Sequence, residues 1–332
     1  MNNFKKDRIC LGLDLGTSAI KFCKLKFSKE GVELSDFYLG PAPGPEALKQ
    51  AAQRMDLRLA NIAVSGPATI IRYVNFPKMS RDELKKALKF EAQKYIPFSL
   101  AEVNMDVVIL KDNPQENKML VAIVAVKKDF LAQRIKIFEA ADFKINLIDI
   151  DSLALVNAFN FSYPRENSTR PKSFALLNVG ATFSNLNILE DGTPSLLSRD
   201  INIAGNNFTH KIADSFAIDF KAAEELKINP EKEKIQKIIQ AGETVLSGLA
   251  GEIRVSFDYY ESQSASSVGK IFLSGAGGLF PGFKDALANL LGIEVEYWEP
   301  LKQIRISSSL DAEKIKSSSS QLAIALGLAL RP

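Results

Sequence analysis

The chain has 332 residues, of which 46% are hydrophobic, and a formal net charge of +3. This length predicts two or more domains, and a small charge carried by dispersed Lys and Arg argues against a nucleic-acid partner. Two cysteines and one histidine exclude a multi-histidine metal centre, and we expect Cys10 and Cys23 to be reduced, buried thiols. No segment resembles a signal peptide or approaches the ~20 apolar residues of a membrane span, so we predict a cytoplasmic protein without direct membrane insertion.

The first half of the chain alternates strand and helix patterns. Apolar runs predict two strands within 8–27, joined by a Gly-Thr-Ser turn. Ser80 and Glu83 have the spacing of a helix capping box, an apolar stripe with helical period follows, and Pro97 ends it. In chain order we then predict strands at 60–65 and 69–76, a helix at 80–96, strands at 103–110 and 119–126, a helix at 128–141 and a strand at 144–150.

The polar, proline-containing stretch 161–173 has no periodicity and predicts a linker. Beyond it we predict a strand–turn–strand unit at 174–189, helices at 206–218, 220–227 and 231–263, a strand at 269–274, a helix at 282–291, a strand at 293–298 and a last helix from about 320. The whole pattern is that of a mixed α/β protein.

Two stretches of the chain share one frame. Residues 11–26 read LGLDLGTSAIKFCKLK and residues 176–189 read LLNVGATFSNLNIL, so that Asn178 aligns with Asp14 and a glycine follows two positions later in both. A plain β-turn explains either stretch alone, because Gly supplies φ > 0 and Thr and Ser bond locally. The pair favours two related halves that clamp one nucleotide from both sides.

The first turn has the residue types that a nucleotide's phosphates and metal ion require. Successive backbone N–H groups of Gly16, Thr17 and Ser18 would point at an anion. Asp14 at the strand end would hold Mg²⁺ through its water ligands. Lys21 on the next strand would neutralise the β- and γ-phosphates.

A further glycine-rich turn, SGAGGLFPG at 274–282, follows a predicted strand. Phe280 stands where a Rossmann motif has its third glycine, and the chain has no GxxxxGK[ST] sequence, which excludes a P-loop. We expect Gly275, Gly277 and Gly278 to leave room for a flat adenine ring. The alternative is a tight strand-to-helix turn without a ligand.

These motifs resemble those of the actin-like ATPase fold of actin, Hsp70 and sugar kinases. ICLGLDLGTSAIKFCKL and SFALLNVGATFSNLNIL resemble its two phosphate motifs, IFLSGAGGLFPGF its adenosine motif, and DIDSLALVNAF and SQLAIALGLAL its two connecting helices. The resemblance implies an α/β fold of duplicated ribonuclease H-like domains, with ATP and Mg²⁺ as cofactors.

The stretch FPKMSRDELKKALKFEAQKYIPFSLAEVNMDVVIL is similar to the PilM family of type IV pilus assembly proteins. RDINIAGNNFTHKIADSFAIDFKAAEELK and LAGEIRVSFDYYESQ resemble further PilM stretches. The resemblance implies a subdomain of the type found in the cell-division protein FtsA, inserted at 77–146. The first actin-like domain then comprises 1–76 with 147–171 and 320–332, and the second comprises 172–319.

The resemblance also assigns nucleotide contacts to the second half. They are Gly180, Ala181 and Thr182 for the phosphates, Gly205 and Asn206 at the next helix start, and Glu252 on the long helix for the ribose hydroxyls. The family often has Asp where this chain has Asn178. An amide is no useful base, and losing one positioned acid–base group costs roughly 10²–10⁴ in rate.

We therefore assign no catalytic residue firmly and expect ATP binding with very slow or absent hydrolysis. The alternative is that Asn178 merely fits its neighbours and another carboxylate serves the attacking water. Whether the protein is an enzyme stays open.

The resemblance implies an ATP-binding scaffold, peripheral to the inner membrane, that binds the cytoplasmic N-terminal tail of a PilN-like inner-membrane protein and links it to the pilus motor. We expect the tail, as an extended segment, where residues 77–148 join the first domain. The motor ATPase and a second copy of the chain stay open as partners. The alternatives are a small-molecule kinase or ATPase, for which Asp149 and Asp151 are unconvincing bases, and a filament-forming, FtsA-like division protein.

Overall fold

The computed structural model describes residues 8–41, 45–53, 57–113, 117–165, 170–190, 196–264 and 266–331. The strands of these residues form three sheets, of six, three and five strands. Each sheet buries an apolar core of its own.

The six-stranded sheet is built around the first predicted hairpin. Its order is β14-β3-β2-β1-β4-β8, with β1 and β2 antiparallel and β4 and β8 parallel to β1. The strands are β1 (Arg8–Leu15), β2 (Ala19–Ser28), β3 (Gly31–Pro41), β4 (Leu59–Val64), β8 (Lys144–Ile150) and β14 (Arg305–Ile306). Helices α1 (Pro45–Gln53) and α3 (Lys128–Ala140) border this sheet.

The three-stranded sheet has the order β5-β7-β6 and consists of β5 (Thr69–Pro77), β6 (Val103–Asn113) and β7 (Lys118–Lys127). One face of this sheet packs on helix α2 (Arg81–Glu91). This helix begins at the predicted capping box of Ser80 and Glu83. The α-helix is shorter than the predicted 80–96, because a 3₁₀ turn (Ala92–Lys94) tightens its end before Pro97. Such turns are frequent at helix termini.

The five-stranded sheet repeats the plan of the first. Its order is β11-β10-β9-β12-β13, with β9 (Ser173–Val179), β10 (Ser184–Glu190), β11 (Leu197–Ile201), β12 (Lys270–Ser274) and β13 (Glu294–Tyr297). Four helices complete its core: α5 (Gly205–Phe216), α6 (Phe220–Ile228), α7 (Ile235–Gln263) and α8 (Phe283–Leu291).

Helices α4 (Asp151–Ser162) and α10 (Ala323–Ala329) cross in the middle of the molecule. Their backbones touch there, because a Cβ atom on Gly327 would lie 1.8 Å from the carbonyl oxygen of Ala154. On the other side of α10, a Cβ atom on Gly12 of β1 would lie 2.0 Å from the oxygen of Ala325. Glycine at both positions allows the backbone of helix α10 to pack in direct contact with α4 and β1.

The sheets require two changes to the proposed domain boundaries. Strand β5 pairs with β7 along its whole length, so the inserted sheet begins near Thr69 rather than at residue 77. Strand β14 pairs with β3 of the first sheet, although residues 305–306 fall in the range proposed for the second domain. Helices α1 and α9 (Ala312–Ser318) and strands β3 and β11 were not predicted from the sequence.

A cleft between two glycine turns as the candidate functional site

The two hairpins that share a sequence frame also share a register. Asp14 faces Lys21 across β1 and β2, and Asn178 faces Asn185 across β9 and β10. In the first turn the N–H of Gly16 donates to the carbonyl of Ala19 (3.1 Å), and in the second the N–H of Gly180 donates to that of Phe183 (3.0 Å). The predicted repetition of the turn is confirmed.

The tips of the two turns meet across a cleft. The hydroxyls of Thr17 and Thr182 are 2.7 Å apart and hydrogen-bonded. Beneath them lies a cavity of about 250 Å³. The predicted site residues that line it are Asp14, Gly16, Thr17, Ser18, Lys21, Asn178, Gly180, Ala181, Thr182 and Gly275.

The first hairpin brings an ion pair into the cleft. Lys21 Nζ donates to Asp14 Oδ2 at 2.8 Å, and both side chains are largely buried. The other carboxylate oxygen, Oδ1, lies on the side of the Gly16 turn. Within the described residues no group of three or more His, Cys, Asp or Glu gathers as a metal site. One carboxylate beside a glycine turn does fit a hydrated Mg²⁺, which keeps several waters and needs few protein ligands.

Gly205 and Asn206 do not line this cleft. Their backbone N–H groups donate to the carbonyl oxygens of Gly180 (3.0 Å) and Ala181 (2.8 Å). These donors therefore hold the second turn in place. Glu252 does not line the cleft either, and its carboxylate forms an ion pair with Arg199 of β11.

The glycines of the third turn serve a different purpose from the one expected. A Cβ atom on Gly275, which has φ +88°, would lie 2.4 Å from the oxygen of Val179, and one on Gly277 would lie 2.6 Å from the Val179 side chain. A Cβ atom on Gly278 would press on Leu273. Gly275 and Gly277 are therefore required by packing against the end of β9, and Gly278 packs against β12. Only Gly275 and its neighbour Ala276 reach the cleft.

Asp151, an unconvincing base on sequence grounds, lines the cleft at the start of α4. Burial and the charge of Asp14 raise the pKa of its carboxyl to about 7, against the opposing effect of a hydrogen bond with Ser65. Arg134 of α3 lines the same wall, donates to the carbonyl of Leu15, and has its pKa lowered by burial. The sequence feature that could have indicated Asp151 as a site residue is its position directly after a buried strand.

A chain of hydrogen bonds runs from the second turn to the first half of the molecule. Asp200 Oδ2 accepts from the N–H of Gly66 (2.8 Å), and its Oδ1 accepts from Asn185 Nδ2 (2.6 Å). Asn185 Oδ1 accepts from Asn178 Nδ2 (3.3 Å), and Asn178 Oδ1 accepts from the hydroxyl of Ser274 (3.1 Å). The carboxylate only accepts, so Asn185 must turn its oxygen toward Asn178, which must donate.

The identity of Asn178 follows from this chain. A carboxylate at that position would face the amide oxygen of Asn185 with no proton between them. The sequence signal was present in SNLNIL, where Asn185 and Asn187 alternate with the core residues Leu186 and Ile188 and are themselves buried. Buried amides in alternation indicate a polar row along one face of a sheet.

A family model described as "Type IV pilus assembly protein PilM" matches residues 45–332 of the chain. The chain belongs to the PilM family. It is 27% identical to a protein in a solved structure described as "PilM-PilN type IV pilus biogenesis complex", with a TM-score of 0.83 over 97% of this chain and 99% of that one.

More distant structures share the fold of this PilM family member. EutJ, an ethanolamine utilization protein from Carboxydothermus hydrogenoformans, is 14% identical, with a TM-score of 0.55 over 97% of this chain and 89% of that one. A diol dehydratase-reactivating factor in nucleotide-free form is 10% identical, with a TM-score of 0.55 over 97% and 99%. The chain has the actin-like ATPase fold, as predicted. None of the helices in the described residues is long and apolar enough to cross a membrane.

The hydrogen-bond chain predicts a pH-dependent effect of Asn178→Asp. At neutral pH the substitution should cost about 1–3 kcal/mol of unfolding free energy, because two buried acceptors face each other. Burial raises the pKa of the introduced carboxyl above its unfolded value of about 3.9. The deficit should therefore be small below about pH 4, where the protonated group donates to Asn185, and should grow as pH rises through the raised pKa.

Urea unfolding between pH 4 and pH 8 measures this effect. Asn178→Ala is the matched control, since it removes the same contacts without adding a charge and its deficit should stay nearly constant with pH. Equal pH profiles for the two variants would contradict the assignment of donor and acceptor in the chain.

Proposed function

We propose that this PilM family member is an ATP-binding scaffold of type IV pilus assembly that binds the cytoplasmic tail of a PilN-like inner-membrane protein. The observation that carries the proposal is the pair of equivalent glycine turns that meet over Asp14 and Lys21. The likeness to a protein solved in a PilM–PilN complex, over nearly the full length of both chains, supports the partner. The scaffold would be cytoplasmic, peripheral to the inner membrane through that partner, and linked to the pilus motor.

In this proposal the backbone donors of both turns bind the phosphates, with Lys21 and a Mg²⁺ ion near Asp14 neutralising their charge. The cavity of about 250 Å³ is smaller than most ligand pockets, which measure about 300–1,000 Å³. The neutral bond between Thr17 and Thr182 costs little to replace by bonds to phosphate oxygens. We therefore infer that the halves move apart to admit a whole nucleotide.

Glu224 is a better candidate than Glu252 for the ribose hydroxyls. Glu252 is paired with Arg199 outside the cleft. Glu224 accepts from the ammonium of Lys227 at 2.6 Å, and that ammonium also donates to the carbonyl of Gly205 (3.2 Å). Gly205 touches Gly180 of the second turn, so this carboxylate stands beside the proposed phosphate site.

A slow ATPase is the second candidate function, and Asp151 favours it. Its carboxyl lies in the cleft, and a pKa of about 7 suits a general base at neutral pH. Asn178 is committed as a hydrogen-bond donor and cannot take a proton from water. The two candidates differ in whether ATP is consumed, and they share one binding site.

Calorimetric titration with ATP and Mg²⁺ tests the nucleotide site through Gly16→Val. A Cβ atom at this position would lie 2.8 Å from Lys21 Nζ and 3.1 Å from the Ala19 oxygen, so we expect ATP affinity to fall at least roughly tenfold, because valine displaces the ammonium and fills space at the turn. Gly251→Val is the control, since Gly251 has open space around it and lies in α7. Wild-type affinity in Gly16→Val would show that the phosphates bind elsewhere.

Single-turnover hydrolysis with and without Asp151→Asn separates the scaffold from the ATPase. If Asp151 is the base, the variant should lose roughly 10²–10⁴ in rate while it binds ATP as tightly as wild type. Asp142→Asn, at an exposed carboxylate outside the cleft, is the matched control. Residual turnover that is the same in all three proteins would dismiss Asp151 as a catalytic residue.

The proposed place for the tail is the inserted subdomain, 77–148, where it joins the first domain. Strand β6 is an end strand of its sheet, and Val108 and Ile109 on it are 48% and 38% exposed. An extended tail would add to such an edge through main-chain hydrogen bonds, with alternate side chains giving specificity.

Fluorescence anisotropy with a labelled tail peptide of the PilN-like partner tests this placement. Val108→Asp should weaken binding roughly tenfold, because it puts a charge on the apolar edge. Val255→Asp alters a residue of similar exposure (59%) on α7 and should bind like wild type. If Val108→Asp binds the peptide normally and keeps its thermal midpoint, the tail does not lie along β6.

A further inference from the structure

A second and larger cleft separates the inserted sheet from the second half of the molecule. Its volume is about 750 Å³, three times that of the cavity beneath the glycine turns. It shares no lining residue with that cavity, and of the proposed tail strand β6 it includes Lys111 alone among the described residues. We call it the tyrosine cleft, after Tyr73, Tyr259 and Tyr260 in its walls.

One wall is the face of the inserted sheet that α2 leaves uncovered. In β5, Phe76 is buried against α2, and Val74 packs there too. Ile71, Tyr73 and Asn75 alternate with them and so lie on the opposite face, which lines the cleft.

The other wall combines β11 with the C-terminal end of α7. Leu197 and Ser198 come from β11, and Tyr259 and Tyr260 come from α7. A hydrogen bond of 2.7 Å between the hydroxyls of Tyr73 and Ser198 joins the two walls at one end. The cleft thus offers apolar and aromatic surface on both sides.

The charges around this surface are mostly positive, although Arg199 is already paired with Glu252. The cations that line the tyrosine cleft are Arg72, Lys111, Lys118, Lys172 and Arg199. Glu190 is the single acid among the described lining residues, and it already accepts from the hydroxyl of Tyr260 (3.0 Å). Such a field favours an anionic occupant and suppresses cationic ones.

Both walls also present a strand edge. Strand β5 is an end strand of the three-stranded sheet, and β11 is an end strand of the five-stranded sheet. Tyr73 and Tyr259 beside these strands provide rigid aromatic surface for the side chains of an extended occupant.

We infer that the tyrosine cleft binds an extended acidic segment of a partner protein, with carboxylates alternating with apolar or aromatic side chains. The apolar side chains would pack between Tyr73 and Tyr259, while the carboxylates meet Lys111 and Lys172. The occupant would differ from the proposed membrane-protein tail, because cytoplasmic segments next to a membrane span carry an excess of Lys and Arg. The inference therefore does not depend on where that tail binds.

Fluorescence anisotropy with a labelled eight-residue peptide of alternating Glu and Leu tests the inference on the full chain. The same peptide with Gln in place of Glu is the ligand control. We expect the Glu peptide to bind at least tenfold more tightly than the Gln peptide, and the difference to shrink as salt is raised. The double variant Lys111→Glu/Lys172→Glu should lose at least tenfold in affinity for the Glu peptide.

Lys211→Glu/Lys221→Glu is the matched variant, with the same charge change at exposed positions on α5 and on α6. It should bind the Glu peptide within twofold of wild type. Equal losses in the two double variants, or equal binding of the Glu and Gln peptides, would overturn the inference. A single-stranded DNA oligomer serves as a second probe. The inference would also be overturned if this oligomer bound as tightly as the Glu peptide and lost as much affinity in Lys111→Glu/Lys172→Glu. The thermal unfolding midpoints of both double variants are measured to check that a loss of affinity is not caused by unfolding.

Discussion

The arrangement of the cleft depends on one constraint, which is that the carboxylate of Asp200 can only accept hydrogen bonds. It accepts one hydrogen bond from the backbone N–H of Gly66 in the first half and another from the side-chain amide of Asn185 in the second. Asn185 must therefore direct its amide nitrogen toward Asp200 and its oxygen toward position 178. The residue at position 178 must then be a hydrogen-bond donor, as Asn178 is. A single acid thus joins the halves and determines the chemistry of a turn two strands away.

The duplicated hairpins have therefore diverged in a way that physical chemistry explains. In the first, Asp14 and Lys21 form a charged pair at the strand ends, suited to a metal ion and phosphates. In the second, the same two register positions hold Asn178 and Asn185, a neutral pair engaged in the bonds between the halves. The strand-end side chains of the first hairpin thus form an ion pair in the cleft, whereas those of the second belong to the hydrogen-bond chain that leads to the first half.

The sequence predicted the features that depend on local pattern. The two turns share a frame in the sequence and a register in the structure, and Ser80 begins α2 as its capping box indicates. Features set by tertiary contacts could not be predicted from local sequence patterns. Gly277 is glycine because of Val179, a residue nearly a hundred positions away, and β5 joins the inserted sheet through pairing that no local pattern reveals. Asp151 was an unconvincing base on sequence grounds, and it is the fold that places it in the cleft near the charge of Asp14.

The burial of α10 has a consequence for the order in which the chain acquires its structure. The strands β9 to β13 occupy one continuous stretch, 173–297, so their sheet can form as soon as that stretch has left the ribosome. The sheet of β1 needs β14 and the close contact of Gly12 with α10, both supplied by residues synthesised much later. During synthesis the strand made first must remain without its helix, and its apolar surface is then a natural binding site for a chaperone.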